Sequence, residues 1–173
     1  MKQNYFELFG LAETFELDGK QLDAAFRQTQ ARVHPDRYAN GSAAEKRMAL
    51  QWATLVNEAY QTLRDPLSRA RYLCELHGVS TDAESNVAMP ADFLIQQMTW
   101  REQLEDALSA RDERVLNELS TTLNAAKHDE VQALSGLLAS QNYELASTHV
   151  RRLMFLERFA HEIDDAFLII EAG

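Results

Sequence analysis

The sequence predicts an all-α protein in two parts, a helical hairpin followed by a bundle of three helices. Two observations support this fold class. Glycine and proline are scarce, with 6 and 3 residues in a chain of 173, whereas an all-β protein needs many turns that use them. Apolar residues also recur at spacings of three and four over most of the chain, which is the period of an amphipathic helix.

The first two helices are predicted with their ends. Tyr5–Phe9 forms a short apolar segment that stops at Gly10. Asp18 is a suitable N-cap residue for the next helix. This second helix should end near Val33, because Pro35 disfavours helical geometry at the residue before it.

A third helix is predicted after Ser42, and a shorter fourth helix follows it. The apolar residues of the third helix keep the helical spacing and are Met48, Trp52, Leu55, Val56, Ala59, Tyr60 and Leu63. The second and third helices, joined by a tight loop, should pack antiparallel. The fourth helix should run from about Asp65 to His77, because Gly78 is a typical residue after a helix end.

A domain boundary is predicted after the fourth helix. Residues 78–86 are mostly small and polar and have no hydrophobic period. We therefore assign residues 1–77 to a first domain, residues 78–89 to a linker and residues 90–173 to a second domain.

Three further helices are predicted after Pro90, with short links that suit an antiparallel bundle. The middle helix carries an apolar seam made of Leu116, Leu119, Leu123, Ala126, Ala133, Leu134 and Leu137. Glu130 falls on this seam and is a local defect in it. The last helix begins near Asn142, and its apolar residues are Tyr143, Val150, Leu153, Met154, Leu156, Phe159, Ile163 and Phe167.

The charge of the chain argues against two classes of partner. The formal net charge is −10, and residues 90–173 hold most of it, with 7 basic and 15 acidic residues. Nucleic acids and anionic membrane surfaces both require a basic face, so neither is an expected partner. No apolar run is long enough to span a membrane and no signal peptide is recognisable, so we expect a bacterial cytoplasmic protein.

The tripeptide His34-Pro35-Asp36 lies between the second and third helices, where it should be displayed on an exposed loop. Two interpretations are open from these residues alone. The tripeptide is either a helix-breaking turn with a polar rim, or an imidazole and a carboxylate offered to the surface of another protein. No catalytic partner for either group is apparent in the sequence.

At this tripeptide the chain resembles the J-domain co-chaperones. The opening block Asn4–Leu11 resembles the first helix of a J domain, and Asn57–Pro66 with Arg69–Tyr72 resembles its closing segment. These blocks in the right order are far more specific than His-Pro-Asp alone. The resemblance implies that residues 1–77 form a J domain.

The C-terminal half narrows the resemblance to the HscB family, the J-type co-chaperones of iron–sulfur cluster assembly. The blocks that carry this likeness are residues 69–78, 92–98, 100–104 and 150–156. The resemblance therefore covers nearly the whole chain. It implies a co-chaperone that is not an enzyme and that needs no cofactor.

The resemblance implies that the first domain stimulates the ATPase of a specialised DnaK-class chaperone of the HscA-like kind. The residues implied in that contact are His34, Pro35, Asp36, Arg27, Arg32 and Arg37. In the family the second helix presents positive charge to an acidic face of the chaperone. Here Asp18 and Asp23 dilute this charge, and the alternative is that it forms a solvated helix face.

A second candidate site follows from the helix after Pro90, projected at 3.6 residues per turn. One side of this helix, which we assign to the bundle core, holds Phe93, Gln97, Trp100, Leu104 and Ala107. The outer side holds Leu94, Ile95 and Met98, followed by Glu102, Glu105 and Asp106. An apolar patch that the core does not need is typical of a binding surface. The alternative is that the patch packs under the first domain or the linker.

The resemblance implies that this outer side binds an IscU-like scaffold protein, on which iron–sulfur clusters are built. The matching positions are Leu94, Ile95, Met98, Glu102 and Asp106, with Phe155 from the last helix. Two positions depart from the family pattern: Thr99 stands where an acidic residue is expected, and Asp106 stands where Glu is usual. For Phe155 the alternative is that it fills a corner of the bundle, the common use of Phe at helical spacing.

No metal site or catalytic site is predicted. Cys74 is the single cysteine, which excludes a disulfide within the chain, and with His77 it gives at most two metal ligands. We interpret His128, His149 and His161 as surface residues of helices. Two other functions stay open: a general J-domain co-chaperone for unfolded clients, and a structural adaptor whose loop is idle.

Overall fold

The computed structural model describes residues 3–38, 40–81 and 89–172, and its regular structure is helical. The elements are α1 (Tyr5–Phe9), α2 (Gly19–Val33), a 3-10 turn (Pro35–Tyr38), α3 (Ala43–Arg64), α4 (Pro66–Leu76), α5 (Ala91–Ala110), α6 (Glu113–Ala139) and α7 (Tyr143–Ala172). The predicted all-α class is confirmed, and no strand occurs in the three described ranges. Within the same ranges, no helix has the length and apolarity needed to cross a membrane.

Two compact units make up the chain, Met1–Leu73 and Cys74–Gly173. The division falls inside α4, before the predicted end of the first domain at residue 77. Most of the predicted linker, residues 82–88, lies outside the described residues. The limits 1–77, 78–89 and 90–173 therefore stay a prediction.

Side-chain caps begin α2 and α3 where the sequence predicts helix starts. The Asp18 carboxylate accepts a hydrogen bond from the Lys20 N–H at 2.9 Å. The Ser42 hydroxyl accepts one from the Glu45 N–H at 3.3 Å, and the Glu45 carboxylate accepts one from the Ser42 N–H at 2.7 Å. This reciprocal arrangement lowers the pKa of Glu45, because the bonds from Ser42 favour the charged carboxylate.

The core of the first unit lies between α1 and the α2–α3 hairpin. Its buried side chains are Phe6, Phe9, Phe15, Leu22, Ala49, Val56, Ala59, Leu63, Ala70 and Leu73. Phe26 of α2 stacks on Tyr60 of α3, with ring centroids 4.1 Å apart. Tyr5 of α1 stacks on Tyr72 of α4 at 4.4 Å. The predicted pairing of α2 with α3 is confirmed by their contacts.

Two residues of the predicted α3 stripe are exposed. Met48 is 58 % exposed and Trp52 is 40 % exposed, although both keep the spacing of the buried residues that follow. Because Tyr60 bonds to Asp23 near the start of α2, the antiparallel course of the hairpin places Met48 beyond the end of α2. Spacing alone therefore overestimated how much of α3 is covered.

Four of the helices are followed by a residue with left-handed backbone geometry. Gly10 after α1 and Gly78 after α4 have φ angles of 65° and 78°, which agrees with the predicted helix ends. Arg111 after α5 and Gln141 after α6 adopt the same conformation, with φ angles of 52° and 58°. A side chain makes this conformation unfavourable, so these two positions are strained.

The second unit contains the predicted bundle of α5, α6 and α7. Helices α6 and α7 form a hairpin, and α5 packs against both of them. The principal core cluster is Phe93, Trp100, Leu104, Ala107, Leu116, Leu119, Leu123, Leu156, Phe159, Ile163 and Ala166. These residues include the leucines predicted for the first half of the α6 seam, so that prediction is confirmed.

The structure corrects the sequence interpretation of two residues, Glu130 and His149. His149 is not a surface residue, because its Nδ1 lies 2.6 Å from Glu130 Oε2 and both side chains are mostly buried. Glu130 interrupts the apolar seam of α6, but its carboxylate has a partner on α7, His149. This pairing allows a carboxylate to lie on the inner side of α6. His128 and His161 are exposed, as predicted.

Candidate functional site

Directly after α2 come His34, Pro35 and Asp36, which we call the His34 loop. His34 leaves the helix with φ −59° and ψ 129°, the extended geometry favoured before proline. The chain then forms the 3-10 turn. The side chains of His34 and Asp36 are 51 % and 91 % exposed, so both groups face solvent. The side chains of Pro35 and Arg37 lie outside the part of the chain that the structure describes.

A local bond orients the His34 ring. The Asp36 N–H donates a hydrogen bond to His34 Nδ1 at 3.3 Å, and the Asp36 carboxylate lies 3.5 Å from the same nitrogen. Either nitrogen of an imidazole donates or accepts, depending on which one carries the proton. The loop therefore offers an imidazole and an anionic acceptor on a single turn.

Three basic residues are predicted to contact the chaperone, and the structure describes the side chains of two of them, which are both exposed. Arg32 lies in the last turn of α2, and Arg27 lies five residues earlier. At 3.6 residues per turn this spacing puts the two side chains roughly 140° apart around the helix. Lys20, seven residues before Arg27, falls on nearly the same line as Arg27. The positive charge of α2 is therefore spread over two faces.

The two carboxylates that dilute the charge of α2 both have structural partners. Asp18 caps the helix, and Asp23 accepts a hydrogen bond from the Tyr60 hydroxyl of α3 at 2.8 Å. This bond raises the pKa of Tyr60, because it stabilises the protonated hydroxyl. Helix capping thus accounts for Asp18, and the packing of the hairpin accounts for Asp23.

An open cleft that the sequence did not predict lies beside the loop. Its volume is about 620 Å³, and it is bounded by α1, α2, the 3-10 turn and α3. The apolar side chains of its lining are Leu8, Phe9, Ala25, Val33, Tyr38, Met48, Ala49 and Trp52. The sequence feature related to this cleft is the apolar stripe of α3. That stripe alone does not distinguish residues that line a cleft from residues buried in the core.

Helix α5 has two apolar sides in opposite environments. On one side Phe93, Trp100 and Leu104 are buried in the bundle core. The other side carries Leu94, Ile95 and Met98, which are 44 %, 65 % and 63 % exposed and which we call the α5 patch. The two sides lie roughly 160° apart around the helix. The predicted exposure of the patch is confirmed, while its role stays a prediction.

Carboxylates continue the exposed side of α5 beyond the patch. Glu102, Glu105 and Asp106 are exposed, and no ion pair within the described ranges engages Glu102 or Asp106. Thr99, which stands where the family pattern has an acid, donates its hydroxyl to the Ile95 carbonyl at 3.2 Å. The patch is therefore bordered by two available carboxylates, a surface that complements an apolar partner with nearby basic groups.

Phe155 of α7 packs mainly inside the bundle. Its ring centroid lies 5.7 Å from that of Phe93 and 6.5 Å from that of Trp100. The Arg101 guanidinium lies 5.8 Å from the Phe155 ring. Arg101 follows Leu94 by seven residues and shares its line along α5. Phe155 thus fills a corner of the bundle, and its side chain is half-buried there.

Cys74 and His77 do not form a reactive site. The buried Cys74 thiol donates weakly to the Tyr143 carbonyl at 3.8 Å, and His77 stacks on the Tyr143 ring at 3.9 Å. Burial raises the pKa of the Cys74 thiol to about 11, so it stays protonated near neutral pH. In the described part of the chain, no group of three or more His, Cys, Asp and Glu side chains could hold a metal ion.

Models of two protein families match the chain, one in each half. The model described as DnaJ domain matches residues 4–72, and the model described as HSCB C-terminal oligomerisation domain matches residues 89–164. Among curated relatives, the co-chaperone protein HscB homolog of Ralstonia nicotianae is 50 % identical over 163 residues. That alignment covers 94 % of this chain and 93 % of the relative.

Solved structures with the same name share the fold. Chaperone HscB from Vibrio cholerae has a TM-score of 0.81 at 39 % identity, covering 94 % of this chain and 96 % of that one. Human co-chaperone protein HscB has a TM-score of 0.87 at 29 % identity, covering 94 % and 81 %. The similarity in sequence and fold extends over both halves of the chain.

Proposed function

The chain belongs to the HscB family of J-domain co-chaperones, and on that basis we propose that it links a DnaK-class chaperone to an iron–sulfur scaffold protein. In this proposal the J domain stimulates the ATPase of a specialised, HscA-like chaperone. The bundle delivers an IscU-like scaffold to that chaperone. The chain itself catalyses no reaction and acts in the bacterial cytoplasm.

The proposed chaperone contact is the His34 loop with the basic residues around it. Its members are His34, Pro35, Asp36, Arg27, Arg32 and Arg37. The exposed ring of His34 and the carboxylate of Asp36 support this choice, because they can make directed hydrogen bonds to a partner. Exposed Arg27 and Arg32 would attract an acidic surface, which speeds association and weakens with salt.

Stimulation of an ATPase requires more than binding to it. A partner shifts a conformational equilibrium only by the difference between its affinities for the two states. The His34 loop must therefore bind the hydrolysis-competent state of the chaperone more tightly than the other state.

The exposure of the α5 patch is the observation that carries the scaffold half of the proposal. Leu94, Ile95 and Met98 are exposed on a helix whose opposite side already supplies the bundle core, so folding does not require them. The proposed contacts are Leu94, Ile95, Met98, Glu102 and Asp106, with the exposed part of Phe155. The two carboxylates favour a scaffold surface that places basic groups beside an apolar area.

The presence of both contacts on one chain accounts for delivery. Once the scaffold is bound to the bundle, a chaperone bound to the J domain of the same chain meets it at a raised effective concentration. This local concentration is independent of the bulk concentration of scaffold. Stimulation of the chaperone in the presence of scaffold should therefore exceed the sum of the separate effects.

ATP hydrolysis by the specialised chaperone tests the proposal, measured with this chain, with the scaffold and with both. We expect stimulation by both together well beyond the sum of each alone. Stimulation that ignores the scaffold would instead indicate a general J-domain co-chaperone for unfolded clients. If the folded chain does not stimulate the ATPase at all, the remaining interpretation is a structural adaptor whose His34 loop has no effect on the chaperone.

A further inference from the structure

A charged network connects α6 and α7 inside the second unit. Glu130 of α6 lies between two residues of α7: its Oε2 is 2.6 Å from His149 Nδ1, and its Oε1 accepts a hydrogen bond from Arg152 Nη1 at 3.4 Å. The side chains of Glu130, His149 and Arg152 are 13 %, 19 % and 19 % exposed. Polar and charged groups so far removed from water are stable only when hydrogen-bonded or paired, so the three side chains fix one another.

Arg152 joins this network to the start of α5. Its guanidinium lies 5.2 Å from the ring centroid of Phe93, and its Nη2 lies 3.9 Å from a carboxylate oxygen of Asp92. A guanidinium over an aromatic face is an attractive contact. Phe93 is buried and immediately precedes Leu94, the first residue of the α5 patch. Arg152 therefore holds the first turn of α5 against α7.

The start of α5 lacks a capping side chain, so side-chain contacts such as those of Phe93 and Arg152 hold it in place. Pro90 occupies the N-cap position and makes no side-chain bond to the first turn. Asp112, which precedes α6, accepts hydrogen bonds from two N–H groups of its helix. A helix start without a cap is less stable and frays more readily. The α5 patch begins in that first turn, so its placement depends on what else holds the turn.

We infer that Arg152, held by Glu130 and His149, is a positioning residue for the α5 patch. The inference rests on the proposed function and deepens it, because scaffold binding needs the patch in one fixed arrangement. Arg152 is mostly buried, so it acts through Asp92 and Phe93 and not by touching the scaffold. Without it the first turn of α5 loses order, and scaffold binding must restore that order at a cost in affinity.

The test compares Arg152→Gln with a matched control, Arg114→Gln, both in the full chain. Arg114 forms an exposed pair with Glu118 within α6, so its replacement removes the same charge from the same unit without touching α5. Calorimetry measures scaffold affinity, and mass spectrometry measures backbone hydrogen exchange of residues 91–98 without scaffold. We expect Arg152→Gln to weaken scaffold affinity about three- to tenfold and to accelerate this exchange. Arg114→Gln should change neither.

Further readouts separate positioning from a general loss of stability. At saturating scaffold the maximal ATPase stimulation should be the same for Arg152→Gln and the unmodified chain, because only the affinity differs. Glu130→Gln should weaken scaffold affinity in the same direction, and the double variant should be no weaker than Arg152→Gln. If Arg152→Gln does not fold, Arg152→Lys keeps the charge beside Glu130 but loses the planar guanidinium over Phe93, so it should still weaken scaffold affinity and accelerate the exchange of residues 91–98.

Two results would overturn the inference. Arg152→Gln could bind the scaffold with unchanged affinity, or it could lose affinity without faster exchange, which would make Arg152 a direct scaffold contact. Failure of the unmodified chain to bind the scaffold would instead refute the proposed function. In that case the backbone hydrogen exchange of residues 91–98 decides the inference. Faster exchange in Arg152→Gln than in the unmodified chain supports positioning of α5 by Arg152, and unchanged exchange refutes it.

Discussion

Truncation of the two most exposed residues of the α5 patch separates a binding role from a folding role. Ile95→Ala with Met98→Ala removes side chains that are 65 % and 63 % exposed in the free chain. Full burial of such a side chain contributes about 1.5–3 kcal/mol, so covering the exposed fractions contributes about 1–2 kcal/mol each. Allowing for the β-carbons that alanine keeps, the double variant should lose about 2–3 kcal/mol of scaffold affinity, or about 30- to 150-fold.

The same substitutions should leave the fold nearly intact. Ile95 and Met98 are mostly exposed, so folding buries only the smaller part of each side chain. Alanine is also a better helix former than isoleucine, which offsets part of the lost burial. The free energy of unfolding should therefore fall by about 1 kcal/mol or less. Thermal unfolding followed by circular dichroism measures this change.

Leu168→Ala with Ile169→Ala is the matched control for this experiment. These residues of α7 are 63 % and 62 % exposed, so their truncation removes a similar amount of apolar surface from the same unit. Calorimetric titration with the scaffold should show unchanged affinity for the control. Equal weakening by both double variants would refute the assignment of the patch. A loss of several kcal/mol in the stability of Ile95→Ala/Met98→Ala would place those residues in the core.

Four other predictions concern individual residues. His34→Gln should abolish ATPase stimulation and leave thermal unfolding and scaffold affinity unchanged, because within the described residues the ring bonds to nothing beyond the adjacent turn; residual stimulation would contradict this. Arg111→Gly or Gln141→Gly should raise the free energy of unfolding in urea by about 0.5–1 kcal/mol, since glycine relieves the left-handed strain; a decrease would show that the side chain contributes more than the strain costs. Burial raises the pKa of Cys74 to about 11, so a thiol reagent at pH of about 8 should modify the folded chain far more slowly than the urea-unfolded chain. Stability should also fall as pH rises from about 9 to 11, because the unfolded chain releases this proton there and the folded chain retains it.

Helix ends could be predicted from the sequence where local chemistry determines them. Asp18, Ser42 and Gly78 act on backbone groups within a few residues of themselves, so their identity is enough to mark a boundary. Arg111 and Gln141 carry no such signal, because neither residue type favours the left-handed backbone. Each of them closes a short turn between two packed helices, in which the next N–H bonds back to the preceding helix, Asp112 to Ala107 and Asn142 to Leu137. The need for such a turn is not visible in a local pattern.

The two sides of α5 could be predicted because they depend only on the helical period. The Glu130 network could not, since its partners are 19 and 22 residues away in the chain and meet only when α6 and α7 align in one register. The carboxylate on the seam was visible in the sequence, but the residue facing it was not. Met48 shows the converse error, because the period gives the direction of a side chain and not whether another helix covers it.

Helix α5 has two apolar sides, and its composition determines which one is buried. A rotation of roughly 160° would bury the α5 patch and expose Phe93 and Trp100. Aromatic side chains bury about 150–250 Å² each, so that rotation would sacrifice the larger apolar surface. It would also bring Glu102 and Asp106 toward the core, where unpaired carboxylates are costly. The carboxylates proposed to recognise the scaffold therefore also keep the patch on the surface, where the scaffold can reach it.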